Sequence, residues 1–504
     1  MATLVDRYAS QLVGVISCFD RIVVQGTIPG LCYPDGMARF LTSHNIRYID
    51  YPRFAEPYRN QIRSNAEQLA RDAGCEIEFV RKSSFRKEDR ITQILRLRGN
   101  HPGLVHIISA MEACASFQYR FDKEAQKSTL KYTVGKCLHY YFYFIDADLG
   151  LCYMRVPTWC PFRLQFYYNG HNQLARRLDA ASIGYQMLDN AFIDISNVEE
   201  AQRLANDVDV AKFHAKLDRY AARFCPAVAS LGLHHHWSLM QVEYSTDLIF
   251  RKQADLRPLY TSITRTAIQA VKADNIATFL GRKINGASKD EVGNDYSIRI
   301  EGTRIKHHMG PASIKMYDKR GIVLRIETTI NDVSFFRHHR KVEQRDGTTA
   351  FKLAPLKKSI YSLLDLQGMM AAANRRYLEF ISALEDTSSG MKALQKVSEP
   401  TEFNGRRYKG INFFHQEDDR LLTALARGEF NISGLRNRDL QRFMPDKKPG
   451  WISRCIKRLR MHGLIKSIGH RYKYYMTDLG KRVVATGLSL RNMAIVPSLA
   501  TTTS

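Results

Sequence analysis

The stretch SIKMYDKRGIVLRIETTI, residues 313–330, decides how the rest of the chain is read. Side chains alternate faces along a strand, so Lys315, Tyr317 and Lys319 share one side while Ile314 and Met316 take the other. Arg320-Gly321 supplies a turn, because glycine readily takes the positive φ of a tight hairpin. On the return run, Leu324 and Ile326 face one way and Arg325 and Glu327 the other. An odd-length loop pairs odd positions with odd positions. A tyrosine, two lysines, an arginine and a glutamate then form one polar face over an apolar underside.

Working outward, strand and helix patterns alternate from residue 15 to about 125, with Gly74 placed to end a long helix. CLHYYFYFIDADLGLCYMRVPTW (137–159) reads as an aromatic hairpin turning at Asp146, Asp148 and Gly150. Helical patterns follow it, and recur at 256–283 and 358–385. The fold class is α+β: a mixed or antiparallel sheet core with helices, then a C-terminal winged helix-turn-helix domain. The expected boundaries are an N-terminal region 1–255, a hairpin-and-helix region 256–385 of the same core, a linker 386–411, a winged helix 412–488 and a disordered tail 489–504.

Composition narrows the function classes. The 504 residues, 44% hydrophobic, can bury real cores. No run approaches 18 uninterrupted apolar residues and the N-terminus does not read as a signal peptide, so a soluble, cytoplasmic protein without membrane partners is expected. Nine cysteines without a C-x-x-C pair argue against a zinc ribbon and suit a reducing compartment. The net charge of +25 calls for an anionic partner, nucleic acid by default, with DNA placed ahead of RNA. Residues 431–490 hold 14 Lys and Arg against three Asp and Glu, a net of +11, which makes the last domain a candidate binding surface. No P-loop or Rossmann glycine fingerprint supports ATP-driven or nicotinamide chemistry.

In that last domain QEDDRLLTALARG, SGLRNRDLQRFM and KPGWISRCIKRLRMHGLI read as three helices, and IKSIGHRYKYYMT as a short hairpin. The pattern resembles the winged helix–turn–helix of MarR-type regulators over 412–488. That resemblance implies a third helix in the major groove, presenting Arg454, Lys457, Arg458 and Arg460, with Arg471 and Lys473 on the wing.

The opening hairpin resembles the Y-x-K segment of plasmid and phage rolling-circle replication initiators, carried here by Lys315, Tyr317, Asp318, Lys319, Leu324, Arg325 and Glu327. The resemblance implies that Tyr317 attacks a DNA phosphodiester, leaving a 5′-phosphotyrosyl link and a free 3′-hydroxyl. Lys315, Lys319 and Arg325 would serve the charged phosphate, and Glu327 would help hold Mg²⁺ or Mn²⁺. His236 and Glu243, within LHHHWSLMQVEY, are further metal-ligand candidates; His234 and His236 flank His235 where nucleases of the HUH class carry a hydrophobic residue. Asp146 and Asp148 form another carboxylate pair. Arg304, Lys306, His307 and His308, just upstream of the hairpin, would approach the nucleic acid. The function expected is single-stranded DNA nicking by a mobile-element or plasmid protein. The alternatives are a non-catalytic MarR-like DNA-binding regulator and an RNA-binding partner of a mobile element.

Overall fold

The computed structural model describes residues 3–82, 84–124, 126–284, 292–299, 302–344, 346–385, 387–427, 430, 434–467 and 472–500. The chain divides into two compact units, Met1–Glu385 and Asp386–Ser504. The strands of the first are β1 (Leu12–Thr27), β2 (Ile77–Val80), β3 (Gly103–Asp122), β4 (Lys127–Asp146), β5 (Gly150–Pro157), β6 (Leu164–Asn169), β7 (Tyr185–Leu188) and β8 (Ala191–Ile195). They continue with β9 (His236–Phe250), β10 (Val292–Arg299), β11 (Gly302–Met309), β12 (Ala312–Lys319) and β13 (Val323–Ile330).

Eleven of these form one sheet in the order β10-β11-β12-β13-β9-β1-β6-β5-β4-β3-β2, and β7 pairs with β8 apart from it. Among the described residues only β2 and β3 pair in parallel; the other ladders of the sheet are antiparallel. Each half of the sheet closes on itself. The chain leaves β1 and returns so that β6 pairs with β1, then leaves β9 and returns so that β13 pairs with β9. β1 and β9 run side by side at the centre.

The hairpin 312–330 pairs odd with odd: Lys315 faces Glu327, and Tyr317 faces Arg325. Arg320 and Gly321 both take left-handed conformations at its tip, with φ of 56° and 73°. The strain at Arg320 is offset by the Asp318 carboxylate, which accepts the Gly321 amide at 2.8 Å, and by an ion pair of Arg320 with Asp189.

The apolar underside of the sheet packs under helices Tyr51–Ala73, Val210–Phe224, Gln253–Ala270 and Leu363–Glu385. Their Ile62, Leu217, Ile263 and Met370 join Ile22, Tyr244, Met316 and Ile326 in one buried cluster. On the opposite face, helices Gly170–Ala180 and Val198–Asn206 and the β7–β8 hairpin cover Ile16, Ile249 and Val323. Helix Lys87–Arg98 covers Val105, Ile108 and Tyr141. Between these two covers Tyr153, Tyr167, Lys315 and Tyr317 stay half-buried and Arg21 exposed.

The second unit carries helices Thr387–Ser398, Gln416–Leu425, Asn437–Phe443, Pro449–Met461 and Asp478–Leu490. A two-stranded hairpin, Ile465–Ser467 with Tyr474–Met476, falls between the last two. Its core joins Leu421, Leu440, Ile452, Leu459, Leu464 and Val484. Two expectations change here. The stretch 386–411, read as a linker, holds the helix Thr387–Ser398 and a hairpin of Thr401–Phe403 with Arg406–Tyr408, and its Val397 and Ile411 are buried in the same core. The stretch 489–504, read as a disordered tail, is helical as far as Ala500. Arg471 and the expected turn at Gly469-His470 lie outside the described residues. No helix among the described residues is long and apolar enough to cross a membrane.

Candidate active site

Four adjacent strands build the site in rows across the sheet. Lys315, Glu327 and Ser245 lie in one register row, and Tyr317, Arg325 and Asp247 in the next. Beside them Ser313, Thr329 and Glu243 form a third. That third row meets an irregularity in β1. Phe19 pairs with Tyr244 and Ile22 with Val242, so Asp20 and Arg21 together oppose the single residue Glu243. Such a bulge leaves Phe19 and Ile22 in the core yet aims both polar residues at the same face.

The result is a carboxylate cluster. Asp20, Glu243 and Glu327 each offer an oxygen within 4.8 Å of the others. Three hard oxygen donors suit Mg²⁺ or Mn²⁺ and do not suit a soft metal. Lys315 stands at the rim, its ammonium 2.6 Å from Glu327 and 3.2 Å from Glu243, and Arg21 lies 3.7 Å from Glu243. Burial raises the Glu243 carboxyl above its usual range and nearby Glu327 adds to the rise. Burial alone would also raise Asp20, but Arg325 and His171 outweigh it and hold that carboxyl well below the usual range.

The Tyr317 hydroxyl donates to Glu327 Oε2 at 2.5 Å. Burial, then the charge of Glu327, lifts its ionisation well above that of a free phenol. Burial works against the charge of Lys315, yet Glu327 and Glu243 prevail and fix it as a cation. Lys319 moves the other way: burial and then Arg325 lower its amine, which donates to Asn190.

Behind the cluster lies a buried scaffold. Arg325 is 0% exposed and donates to Asp247 at 2.6 and 2.7 Å, with Asp20 at 3.6 Å. The Nδ1 of His171 lies 2.8 Å from Asp20, and its Nε2 is 2.9 Å from Arg325 Nη2 and 3.4 Å from Asp247, so the ring bridges both buried aspartates beside the guanidinium. Asn169 and Asn190 donate to the same Asp20 oxygen at 3.0 and 2.9 Å. A carboxylate so held by a histidine and two amides is fixed in orientation.

Several sequence-based assignments move accordingly. Arg325 does not meet solvent; it neutralises two buried aspartates, so a direct phosphate role is withdrawn. His236 sits opposite Thr27, seven residues from Glu243 on β9 and therefore roughly 20 Å away at a strand's rise, and Asp20 takes the third place in the cluster. His307 is buried, held by Asn294 and Tyr377, and burial pushes its pKa down to about 4, so it is a core residue. Arg304, Lys306 and His308 alternate with it on the other face of β11 and are half-buried there, Lys306 beside Lys315. Asp146 is engaged by Lys216, Tyr220 and the backbone amides of Asp148 and Leu149, a structural assignment.

In the second unit Arg454, Lys457 and Arg460 are exposed along the helix Pro449–Met461. Arg458 turns inward to a buried ion pair with Asp418 and leaves the candidate surface. Lys473 is half-buried, its ammonium 5.7 Å from the Tyr475 ring.

No family model matches the chain, and no curated protein matches it in sequence. Among solved structures it is similar to the rolling circle replication initiator protein from Geobacillus stearothermophilus, with 8% identity over 63% of this chain and 75% of that one. The TM-score is 0.19, a likeness too slight to carry a functional argument.

Proposed function

We propose that the first unit cleaves a DNA single strand by attack of Tyr317 on a phosphodiester. The observation that carries this is the 2.5 Å hydrogen bond from the Tyr317 hydroxyl to Glu327, inside a cluster that also holds Lys315, Glu243 and Asp20. A phenol with so high a pKa does not ionise unaided, so its proton passes to Glu327 as the oxygen attacks phosphorus. The bond from phosphorus to the 3′ oxygen breaks, the 5′ phosphate stays on Tyr317, and Lys319 is the acid at hand to protonate the departing 3′ oxygen. Lys315 stabilises charge on the phosphate. Asp20, Glu243 and Glu327 would hold a Mg²⁺ or Mn²⁺ ion, which when bound supplies Lewis-acid stabilisation of a phosphoryl oxygen. The phosphotyrosyl bond conserves the energy of the broken linkage, so rejoining requires no nucleotide cofactor.

The second unit supplies duplex recognition in this proposal. Three helices and a hairpin follow the winged-helix order, and Arg454, Lys457 and Arg460 line one exposed edge of the third. Incubating the protein with labelled single-stranded DNA and Mn²⁺ should yield a covalent adduct that survives denaturation. Tyr317→Phe should abolish the adduct while DNA binding persists. A parent protein that forms no adduct on varied hairpin substrates, or a Tyr317→Phe variant that still nicks, would leave the hairpin as a binding surface without chemistry.

A further inference from the structure

Next to the carboxylate cluster, the polar face of the sheet continues in a direction that the chemistry above does not use. Arg21, 45% exposed, lies with its guanidinium 5.3 Å from the centre of the Tyr167 ring. Tyr167 stacks on Tyr153 at 4.9 Å and 19°. Gln165 donates to the Tyr153 hydroxyl, and its cross-strand partner is Arg155. From Glu243 to Arg155 the path crosses three strand spacings and runs about four residues along the strands, a diagonal of about 20 Å. It ends at a cavity of about 230 Å³ lined by His139, Arg155, Trp159, Arg163 and Tyr132. Arg163 donates from Nη2 to the Cys32 carbonyl at 3.2 Å, while its Nε is buried without a hydrogen-bond partner among the described residues.

We propose that single-stranded DNA reaches Tyr317 along this track, its bases stacking on Tyr167 and Tyr153 and one unstacked base entering the cavity beside Trp159. The proposal rests on the strand-cleavage reading of the Tyr317 site and names the path its substrate takes. The alternation of cations with ring faces is the pattern that holds single strands without regard to sequence. The two tyrosines are already stacked on each other, so little rotamer freedom is lost when a base joins them. Charge fits as well. Lys87 and Arg155 share the carboxylate Glu112, and Arg163 on the cavity wall adds a third cation, against Glu112 and the nearby Glu88. At the other end Arg21 offsets part of the negative charge of the cluster, 3.7 Å from Glu243. A duplex keeps its base faces inside the helix and offers no ring to stack, so unpaired DNA is the occupant the surface selects.

The experiment uses the full chain carrying Tyr317→Phe, so that binding is read without turnover, and a fluorescent oligodeoxythymidylate with Mg²⁺. Adding Tyr153→Leu and Tyr167→Leu keeps apolar volume but removes the ring faces; affinity should fall roughly five- to a hundredfold. Arg21→Gln should lower the salt slope of binding by about 0.7. Because the leucine variants touch packing, a second measurement keeps residues 153 and 167 intact. An oligonucleotide with a single photoreactive iodouracil should cross-link to Tyr153, Tyr167 or Trp159. Unchanged affinity in the leucine variants, or cross-links exclusively elsewhere, overturns the track while the Tyr317 adduct assay still stands by itself. Track-dependent binding in a protein whose parent forms no Tyr317 adduct upholds the track and overturns the cleavage reading instead. Equal or tighter binding of the matching RNA oligomer overturns the assignment to DNA.

Discussion

Replacing Arg325 with methionine should destabilise the first unit by an amount the geometry sets. The guanidinium is fully buried, bonds both Asp247 oxygens and stands 3.6 Å from Asp20, so the variant leaves two buried carboxylates without their principal cation. Removing one member of a buried ion pair costs about 3–5 kcal/mol. For a unit of 385 residues the unfolding entropy at the midpoint is about 0.8 kcal/mol/K, so the melting temperature should fall by about 4–6 °C. The pH dependence carries a sign. In the parent, burial raises Asp20 and Asp247 but Arg325 outweighs it and both lie below their ordinary values. They therefore contribute stability that is complete above the unfolded value near pH 3.9 and is lost as pH falls through their folded values. Without Arg325, burial raises them above the unfolded value. They then destabilise at neutral pH, and the penalty shrinks as acid protonates them. The gap between parent and variant should narrow between pH 8 and pH 5, measured on the first transition in calorimetry of the full chain. Adding Asp247→Asn to the variant should recover part of the loss, since the harm lies in an uncompensated charge. A cost below about 1 kcal/mol, or a gap that widens on acidification, refutes this account of the scaffold.

Three further outcomes test the remaining assignments. Mn²⁺ at a hundredfold excess over its dissociation constant should stabilise the first unit by about 2.7 kcal/mol, raising its midpoint by about 3 °C. Asp20→Asn should remove that shift and His236→Ala should leave it; a shift that survives Asp20→Asn places the ion elsewhere. In the second unit, Arg454→Ala and Arg460→Ala should each reduce the salt slope of duplex binding by about 0.9. Arg458→Ala should leave the slope alone but cost about 3–5 kcal/mol of stability, because it strands Asp418 in the interior. Slopes unmoved by both exposed arginines would remove that helix from the interface.

The hairpin 312–330 was legible because its information is local. A two-residue period and an Arg-Gly turn suffice to put Lys315, Tyr317, Arg325 and Glu327 on one face. What no local pattern shows is depth. Lys315 and Arg325 read alike in the sequence, yet one rims the cluster and the other lies beneath it, since burial depends on what the helix Gly170–Ala180 and the β7–β8 hairpin cover. The same holds for His307 and Arg458, whose burial is set by distant Tyr377 and Asp418. Asp20 was missed for a different reason. Its strand looks like an apolar run interrupted by Asp20-Arg21, and two successive polar residues are the trace a bulge leaves in an alternating pattern. The partner that turns this trace into a carboxylate cluster lies more than 200 residues downstream at Glu243. His236 failed because strand pairing, and not the crowding of histidines, decides which side chains meet.

The self-closing halves of the sheet have a consequence during synthesis. The first half holds Asp20 and the second holds Glu243, Tyr317 and Glu327, and within the sheet the two halves are joined by the β1–β9 ladder. A ribosome-bound chain that has emerged only through β6 possesses one carboxylate of the three and lacks Tyr317. The proposed cleavage therefore requires β13 to have emerged and paired with β9, since Glu327 lies on that strand.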